Sequence, residues 1–275
     1  SEKNNQKFSS KFIQSLVNLE KFDESYSYSK KIDKQNISNF EANLIQGLFN
    51  FKNRNYIKAK FYFNKLEPTF EHQLIFEPLQ ISLKNWSDIS LSDSKESIKL
   101  IKSMPTEYGT FKLIQETFVH CYFDTHVVEK EFKKILQSEK NNFYRYNFFF
   151  ANHLIEKGKF EEAKRIINLT SKKFPRNLLI NQLGENLKNG KKNKNEFTCK
   201  ETQDILAEIL YAFANALSTQ QSYKLSNFYI SLSKFLNPNF LSYDALLAEN
   251  FVMLEKYNKA EKIYKKLSRT GSFYE

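Results

Sequence analysis

The sequence is poor in the residues that make tight turns. It has 6 Gly and 5 Pro in 275 residues, about 4% of the chain against roughly 12% in average usage. β-Sandwiches and barrels use many more of these residues, so an all-β fold is disfavoured. No two glycines are spaced to form a phosphate-binding loop, which excludes a Rossmann-type or P-loop nucleotide-binding site. No apolar run reaches about 18 residues, so we expect no membrane span. Together these exclusions leave a helix-rich protein.

Arginine is also scarce, although the net charge is +11. Nearly all of the positive excess is lysine, and the chain is crowded with Asn, Ile, Phe, Ser and Tyr, a mixture typical of AT-rich genomes. Recognition of phosphate favours the planar fork of arginine. We therefore expect nucleic acid not to be the main partner. The basic segment KKNKNEFTCK at 191–200 keeps polyanion binding through a lysine-rich face as the alternative function.

Cysteine is limited to Cys121 and Cys199, too few for a disulfide framework and no guide to the redox compartment. The segment HCYFDTH holds four residues of metal-binding type: His120, Cys121, Asp124 and His126. His120 and Cys121 are adjacent and cannot both face one point on a helix, and the spacing matches no recognised zinc pattern. We predict a buried Cys121 with surface histidines, no metal and no cofactor. A metal-dependent enzyme stays open as a third function class.

An internal period is the informative signal. An aromatic residue followed three positions later by a small residue recurs in five places: Phe22–Ser25, Tyr56–Ala59, Phe160–Ala163, Tyr223–Ser226 and Tyr257–Ala260. The step from Ser25 to Ala59 is 34 residues, and so is the step from Ser226 to Ala260. Such a fixed period is the sequence signature of a repeat architecture.

A second small residue stands twelve positions before four of these small residues, at Gly47, Ala151, Ala214 and Ala248. Small residues on facing sides let two antiparallel helices approach closely. A large residue four positions after the second small residue, such as Phe63, continues the buried stripe. The pattern predicts helical hairpins that hide their apolar faces by stacking in a row.

The spacing resembles the tetratricopeptide repeat, and residues 144–175 and 241–267 are the best matches. The first-helix tryptophan of the family is absent, and some small positions are serine. The order of repeats also resembles the large exported repeat proteins of alphaproteobacteria, in which the final repeats follow a loop. The resemblance implies an all-α fold: a right-handed superhelical solenoid of about seven stacked antiparallel helix hairpins.

We predict repeats over 10–187, degenerate in 68–142 where two hairpins remain, with an added helix at 177–187 packing on the preceding pair. Residues 188–203 are predicted to form an exposed basic loop or hinge. Residues 204–270 are predicted to form two further units that continue in the full-length protein. Because the sequence does not begin with Met, a removed leader is one explanation, and a periplasmic or cell-envelope location is then favoured over a cytoplasmic one.

In tetratricopeptide arrays the first helix of each pair lines a concave groove, and the resemblance therefore implies groove positions in this chain. They lie six and three residues before, and one residue after, the first small residue. The predicted peptide-binding residues are Arg145, Phe148, Asn152, Glu208, Tyr211, Asn215 and Glu249. The family often has an Asn at the third position, whose amide bonds to a peptide backbone. In the Gly47 unit, Leu44, Leu48 and Phe51 form an apolar patch suited to burying a helix or a domain.

No motif of nucleophilic catalysis is found, since there is no G-x-S-x-G elbow and neither cysteine has a catalytic context. We therefore expect a non-catalytic scaffold or adaptor. Its partner would be an unidentified protein or peptide held in the groove, with no small-molecule substrate.

Overall fold

Helices joined by short turns make up the chain. The computed structural model describes residues 2–37, 39–137, 144–175, 177–190 and 196–268, which contain fifteen α-helices and no strand. The helices are α1 Glu2–Asn18, α2 Phe22–Lys34, α3 Phe40–Lys52, α4 Tyr56–Asn64, α5 Phe76–Ile89, α6 Ser94–Lys102, α7 Gly109–Tyr122, α8 Val128–Gln137, α9 Tyr144–Glu156, α10 Phe160–Lys173, α11 Leu178–Lys188, α12 Thr202–Thr219, α13 Tyr223–Leu236, α14 Ser242–Met253 and α15 Tyr257–Leu267. The predicted all-α class is confirmed.

Within the described residues, each helix from α1 to α11 contacts the next one along the chain, and so does each helix from α12 to α15. The predicted hairpins correspond to seven of these contacts, from α1 with α2 to α14 with α15. The added helix was predicted at 177–187, and α11 packs on both α9 and α10. Two pairs were predicted in the degenerate region, where α5 contacts α6 and α7 contacts α8. Residues 138–143 of that region lie outside the described residues.

The same turn joins the two helices in each of the five pairs that the period identified. The residue five positions before the second small residue has a left-handed φ of 58° to 72°, at Glu20, Arg54, Gly158, Gln221 and Glu255. The N–H of the following residue bonds to the carbonyl five residues earlier, as in Asn55 to Asn50 at 2.8 Å. This arrangement ends a helix and reverses the chain. The sequence period is therefore also a period of backbone geometry.

The small residues lie where the paired helices cross. A Cβ atom on Gly47 would lie 2.2 Å from the ring of Phe63, so α4 approaches α3 as closely as a glycine allows. In the α12–α13 pair the hydroxyl of Ser226 donates to the carbonyl of Ala214 at 2.7 Å. These two contacts confirm the predicted crossing for their pairs.

The degenerate hairpins keep part of this design. Asp124 has the same left-handed turn (φ 53°), with Thr125 N–H bonding to the His120 carbonyl at 3.0 Å, although no small residue follows at the expected place. Trp86 on α5 is fully buried, and its indole N–H donates to Oε1 of Gln115 on α7 at 3.1 Å. A hydrogen bond in the core thus joins the two hairpins that lack the small-residue contact.

The last helices return to the first ones. Helix α13 contacts α1, and α12 contacts α5; Arg54 pairs with Glu201 at 3.0 Å, and Gln203 donates to the Lys52 carbonyl at 2.6 Å. In an extended solenoid each repeat contacts only its neighbours, so this row of pairs departs from that arrangement. The apolar residues Leu44, Leu48 and Phe51 on α3 are completely buried within the chain.

The segment before α12 is attached to the body of the protein rather than exposed. Cys199 forms a disulfide with Cys121 on α7, with Cα atoms 5.8 Å apart. Phe197 is 5% exposed, and the centre of its ring lies 4.2 Å from the ring centre of Phe149. The expectation of an exposed hinge is therefore wrong for these residues, and the two cysteines are not independent. The positive charge and low apolar content of 188–203 predicted exposure. Two residues, Phe197 and Cys199, are nevertheless enough to attach the segment. Residues 191–195 lie outside the described residues.

Candidate binding groove

A cavity of about 690 Å³ opens between the first helices of the pairs. Its walls are formed by α5, α7, α9, α12 and α14, with α11 and short connecting segments completing them. No residue of α6, α8, α10, α13 or α15 is among its described lining residues. Five of the seven predicted first helices thus contribute to the cavity, and no residue of α1 or α3 is among its described lining residues. We call this cavity the groove.

Three residues at equivalent repeat positions meet on the floor of the groove. Arg145, Glu208 and Ser242 each stand six positions before the first small residue of their unit, on α9, α12 and α14. The Nε and Nη2 atoms of Arg145 donate to the two carboxylate oxygens of Glu208 at 2.6 and 2.8 Å. Its Nη1 donates to the hydroxyl of Ser242. One guanidinium therefore links three successive first helices of the row.

Aromatic rings surround that guanidinium. Its central carbon lies 4.1 Å from the ring centre of Tyr211, 4.6 Å from that of Phe240 and 5.4 Å from that of Tyr243. Such stacking satisfies the faces of a guanidinium while its edge is hydrogen-bonded. The side chains of Arg145 and Glu208 are only 12% and 1% exposed. The pair is therefore a structural element of the floor more than a free ligand-binding charge.

The electrostatics of the pair follow from its burial. Desolvation lowers the pKa of Arg145, but the charge and hydrogen bonds of Glu208, together with Tyr211 and Tyr243, raise it above its ordinary value overall. Desolvation also raises the pKa of Glu208, against the attraction of Arg145. Each charge therefore depends on the other, and removing either one leaves a buried charge without its partner.

The side of the groove formed by α12 and α14 carries polar groups that are available to a ligand. Asn215 and Glu249 stand one position after the first small residue of their units, both are exposed, and both line the groove. Within the described residues neither makes a hydrogen bond or an ion pair. Partial desolvation of the Glu249 carboxylate by the neighbouring groove residues raises its pKa. Tyr211 presents part of its ring to the same space.

Two of the predicted residues are not among the lining residues. Phe148 is 7% exposed, and its ring stacks on that of Phe240 at 5.8 Å. Asn152 is half-buried and also lies outside the lining. Phe240 comes from the connection between α13 and α14, and its ring covers Phe148. The lining therefore includes Arg145, Glu208, Tyr211, Asn215 and Glu249 of the seven predicted residues.

The opposite wall was missed by sequence reasoning. It is apolar and comes from the degenerate region and from α11: Leu74, Pro78, Phe111, Ile114, Leu178 and Leu179. Leu74 is 76% exposed and Leu178 is 40% exposed, so apolar surface extends to the rim. Phe111 reaches across to Phe213 on α12, with ring centres 4.8 Å apart. No small-residue signal marks these helices, and only the folded chain brings them opposite α12.

The HCYFDTH segment does not form a shared metal site. The Nδ1 atom of His120 is hydrogen-bonded to Thr125 at 2.8 Å, Asp124 pairs with Lys157 at 2.5 Å, and His126 is exposed. No group of metal-binding atoms within the described ranges combines these three side chains. As predicted, Cys121 is buried, but His120 is buried with it rather than lying at the surface.

No helix in the described part of the chain has both the length and the apolar character needed to cross a bilayer. Comparisons with models of protein families and with curated proteins find no match for this chain.

Proposed function

We propose that the chain is a non-catalytic interaction module that binds a segment of a polypeptide in the groove. The observation that supports this best is the convergence of equivalent repeat positions on one concave face. Floor residues from α9, α12 and α14 are joined through Arg145, and exposed polar residues of α12 and α14 stand above them. This is the relationship expected when each repeat contributes the same position to one extended ligand.

The chemistry of the groove favours a peptide with apolar side chains. One wall is formed by leucine, proline and phenylalanine side chains, and the other offers Tyr211 and Asn215. Asn215 supplies both a donor and an acceptor, which an extended backbone can use in place of a neighbouring strand. Aromatic and apolar walls with a few free polar groups are typical of binding sites.

The repeat family and the superhelix are part of this proposal. The shared left-handed turns and the glycine-to-ring contact in the second pair support a tetratricopeptide-like row of hairpins. Because α13 contacts α1, such a row would be strongly curved. A strongly curved row makes its concave face narrow, which fits a single peptide segment better than a globular domain.

A test is selection of peptides from a random library displayed on phage, with the intact protein as bait. We expect selected peptides to lose at least about tenfold in affinity when Ala245→Trp fills the groove, since the indole occupies the space of the ligand. The matched control is Glu161→Trp, which puts the same side chain on the exposed start of α10. Circular dichroism should show both variants folded. Equal affinity of the peptides for both variants, or the absence of any enriched peptide, would contradict the proposal.

The alternative, binding of a polyanion through a lysine-rich face, rests on the net charge of +11. Among the groove-lining residues Arg145 is already paired with Glu208, and Glu249 carries negative charge, so the groove itself does not favour an anion. Binding of DNA or RNA that falls steeply as salt rises would support the alternative. A comparably tight affinity for the selected peptides that is independent of salt would count against it.

A further inference from the structure

The disulfide lies beside a third metal-binding side chain. Cys121 comes from α7, Cys199 from the segment before α12 and His153 from α9. The Nδ1 atom of His153 lies 3.8 Å from Sγ of Cys121, and the two sulfur atoms and a ring nitrogen lie within 4.8 Å of one another. The exposed fractions are 0% for Cys121, 6% for Cys199 and 5% for His153. Three separate elements thus bring two sulfur atoms and one imidazole to a single buried point.

We propose that, when this disulfide is reduced, Cys121, Cys199 and His153 bind one Zn²⁺ ion. Two thiolates and one imidazole are a ligand set that zinc accepts, with a fourth coordination position left for water or another ligand. The set differs from the HCYFDTH segment, with which it shares only Cys121. It is also independent of the proposed function of the groove.

The chemistry balances in two steps. A dithiol or phosphine reductant supplies two electrons, the S–S bond breaks, and the reductant is oxidised to its disulfide or phosphine oxide. Both cysteine thiols then lose their protons to solvent as Zn²⁺ forms bonds to the two sulfur atoms. Removal of zinc and oxidation restores the disulfide.

The surroundings of the three side chains favour this exchange. The Nδ1 atom of His153 already lies beside Sγ of Cys121 inside this buried cluster. Sulfur atoms about 2.05 Å apart in a disulfide must separate to roughly 3.8 Å to bind a tetrahedral zinc at about 2.3 Å each. Cys199 lies in a non-helical segment, which can take up a shift of this size more easily than a helix. The side-chain Nζ of Lys200 donates to the Cys121 carbonyl at 3.0 Å, which keeps this segment next to α7.

The first measurement compares oxidised and reduced protein. The intact protein is treated with a phosphine reductant without oxygen, mixed with Zn²⁺ and dialysed, and zinc is measured by atomic emission. We expect about one zinc per chain after reduction and none in the oxidised sample. Replacement by Co²⁺ should give a thiolate-to-cobalt charge-transfer band in the near ultraviolet. Reduced protein that retains no zinc, or oxidised protein that retains as much, would overturn the proposal.

The second measurement separates the site from general thiol binding. His153→Gln removes one ligand and leaves the disulfide, so circular dichroism of the oxidised variant checks its fold before reduction. We expect zinc affinity to fall more than about 100-fold, since even outer partners of a metal ligand are worth 10- to 100-fold. His126→Gln changes an exposed histidine outside the cluster and should leave the affinity unchanged. Undiminished binding by the folded His153→Gln variant would refute the assignment of His153.

Discussion

Ser226 donates a hydrogen bond from its side-chain hydroxyl to the backbone carbonyl of Ala214, at 2.7 Å across the crossing of α12 and α13. Both residues are completely buried. A small residue thus allows close approach of the helices and, where it is serine, adds a polar link. The same hydroxyl accepts from the side-chain amide of Asn250 on α14 at 2.8 Å, so the link extends to the next pair.

The crossing predicts a penalty for larger side chains at the equivalent positions. Ala163 and Ala260 are 0% and 2% exposed. We expect Ala163→Leu and Ala260→Leu each to lower the free energy of unfolding by about 1 to 3 kcal/mol, because overpacking displaces the helices. Urea denaturation followed by circular dichroism measures this. The control is Arg165→Leu on the exposed face of α10; an equal effect of all three changes would show that helix crossing is not the cause.

Gly47 and Phe63 predict a coupled effect. A Cβ at Gly47 would lie 2.2 Å from a ring carbon of Phe63. Gly47→Ala should therefore destabilise the protein by about 1 to 3 kcal/mol, although alanine is the better helix former. Phe63→Leu shortens the side chain that clashes, so the alanine substitution should cost less in that background. A double-mutant cycle with no coupling energy would contradict the predicted contact.

From the Arg145–Glu208 pair we predict that removing one charge destabilises the protein more than replacing both charges. Glu208→Ala leaves a guanidinium buried without its counter-charge, so we expect a loss of about 3 to 5 kcal/mol. Arg145→Met with Glu208→Leu replaces both charges with apolar groups and should recover much of that loss. Glu161→Ala, in the exposed pair with Lys164, should change stability by less than about 1 kcal/mol. A double variant no more stable than Glu208→Ala would refute this account.

Asp204 predicts a dependence of stability on pH. Burial raises its pKa to about 6, although the Thr198 N–H donates to its carboxylate at 2.9 Å. Its pKa in the unfolded chain is about 4. The stabilising contribution of protonated Asp204 to the free energy of unfolding is therefore fully present below pH 4. It is lost as the pH rises through 6, by about 2 to 3 kcal/mol.

The measurement is urea denaturation of the wild type and Asp204→Asn from pH 4 to pH 7. The difference between the two cancels the other titrating groups that they share. We expect the wild type to lose stability relative to the variant over this range. Parallel pH profiles would show that Asp204 titrates at an ordinary pKa.

The sequence by itself determined the all-α class and, for α3 with α4 and α12 with α13, the small residues at which the helices cross. It could do so because a close crossing depends on local features, namely a small residue at a fixed spacing and an aromatic residue three positions before it. The resemblance to the tetratricopeptide repeat pointed to Glu208, Asn215 and Glu249, and these three residues line the cavity.

Only the tertiary structure decided how the pairs are arranged around the groove. The apolar wall with Pro78 and Phe111 comes from helices without the repeat signal, and the covering of Phe148 depends on Phe240, more than 90 residues away. The bond between Cys121 and Cys199 spans 78 residues. Such contacts are set by how the whole row curves, because α13 must meet α1, and no local periodicity carries that information.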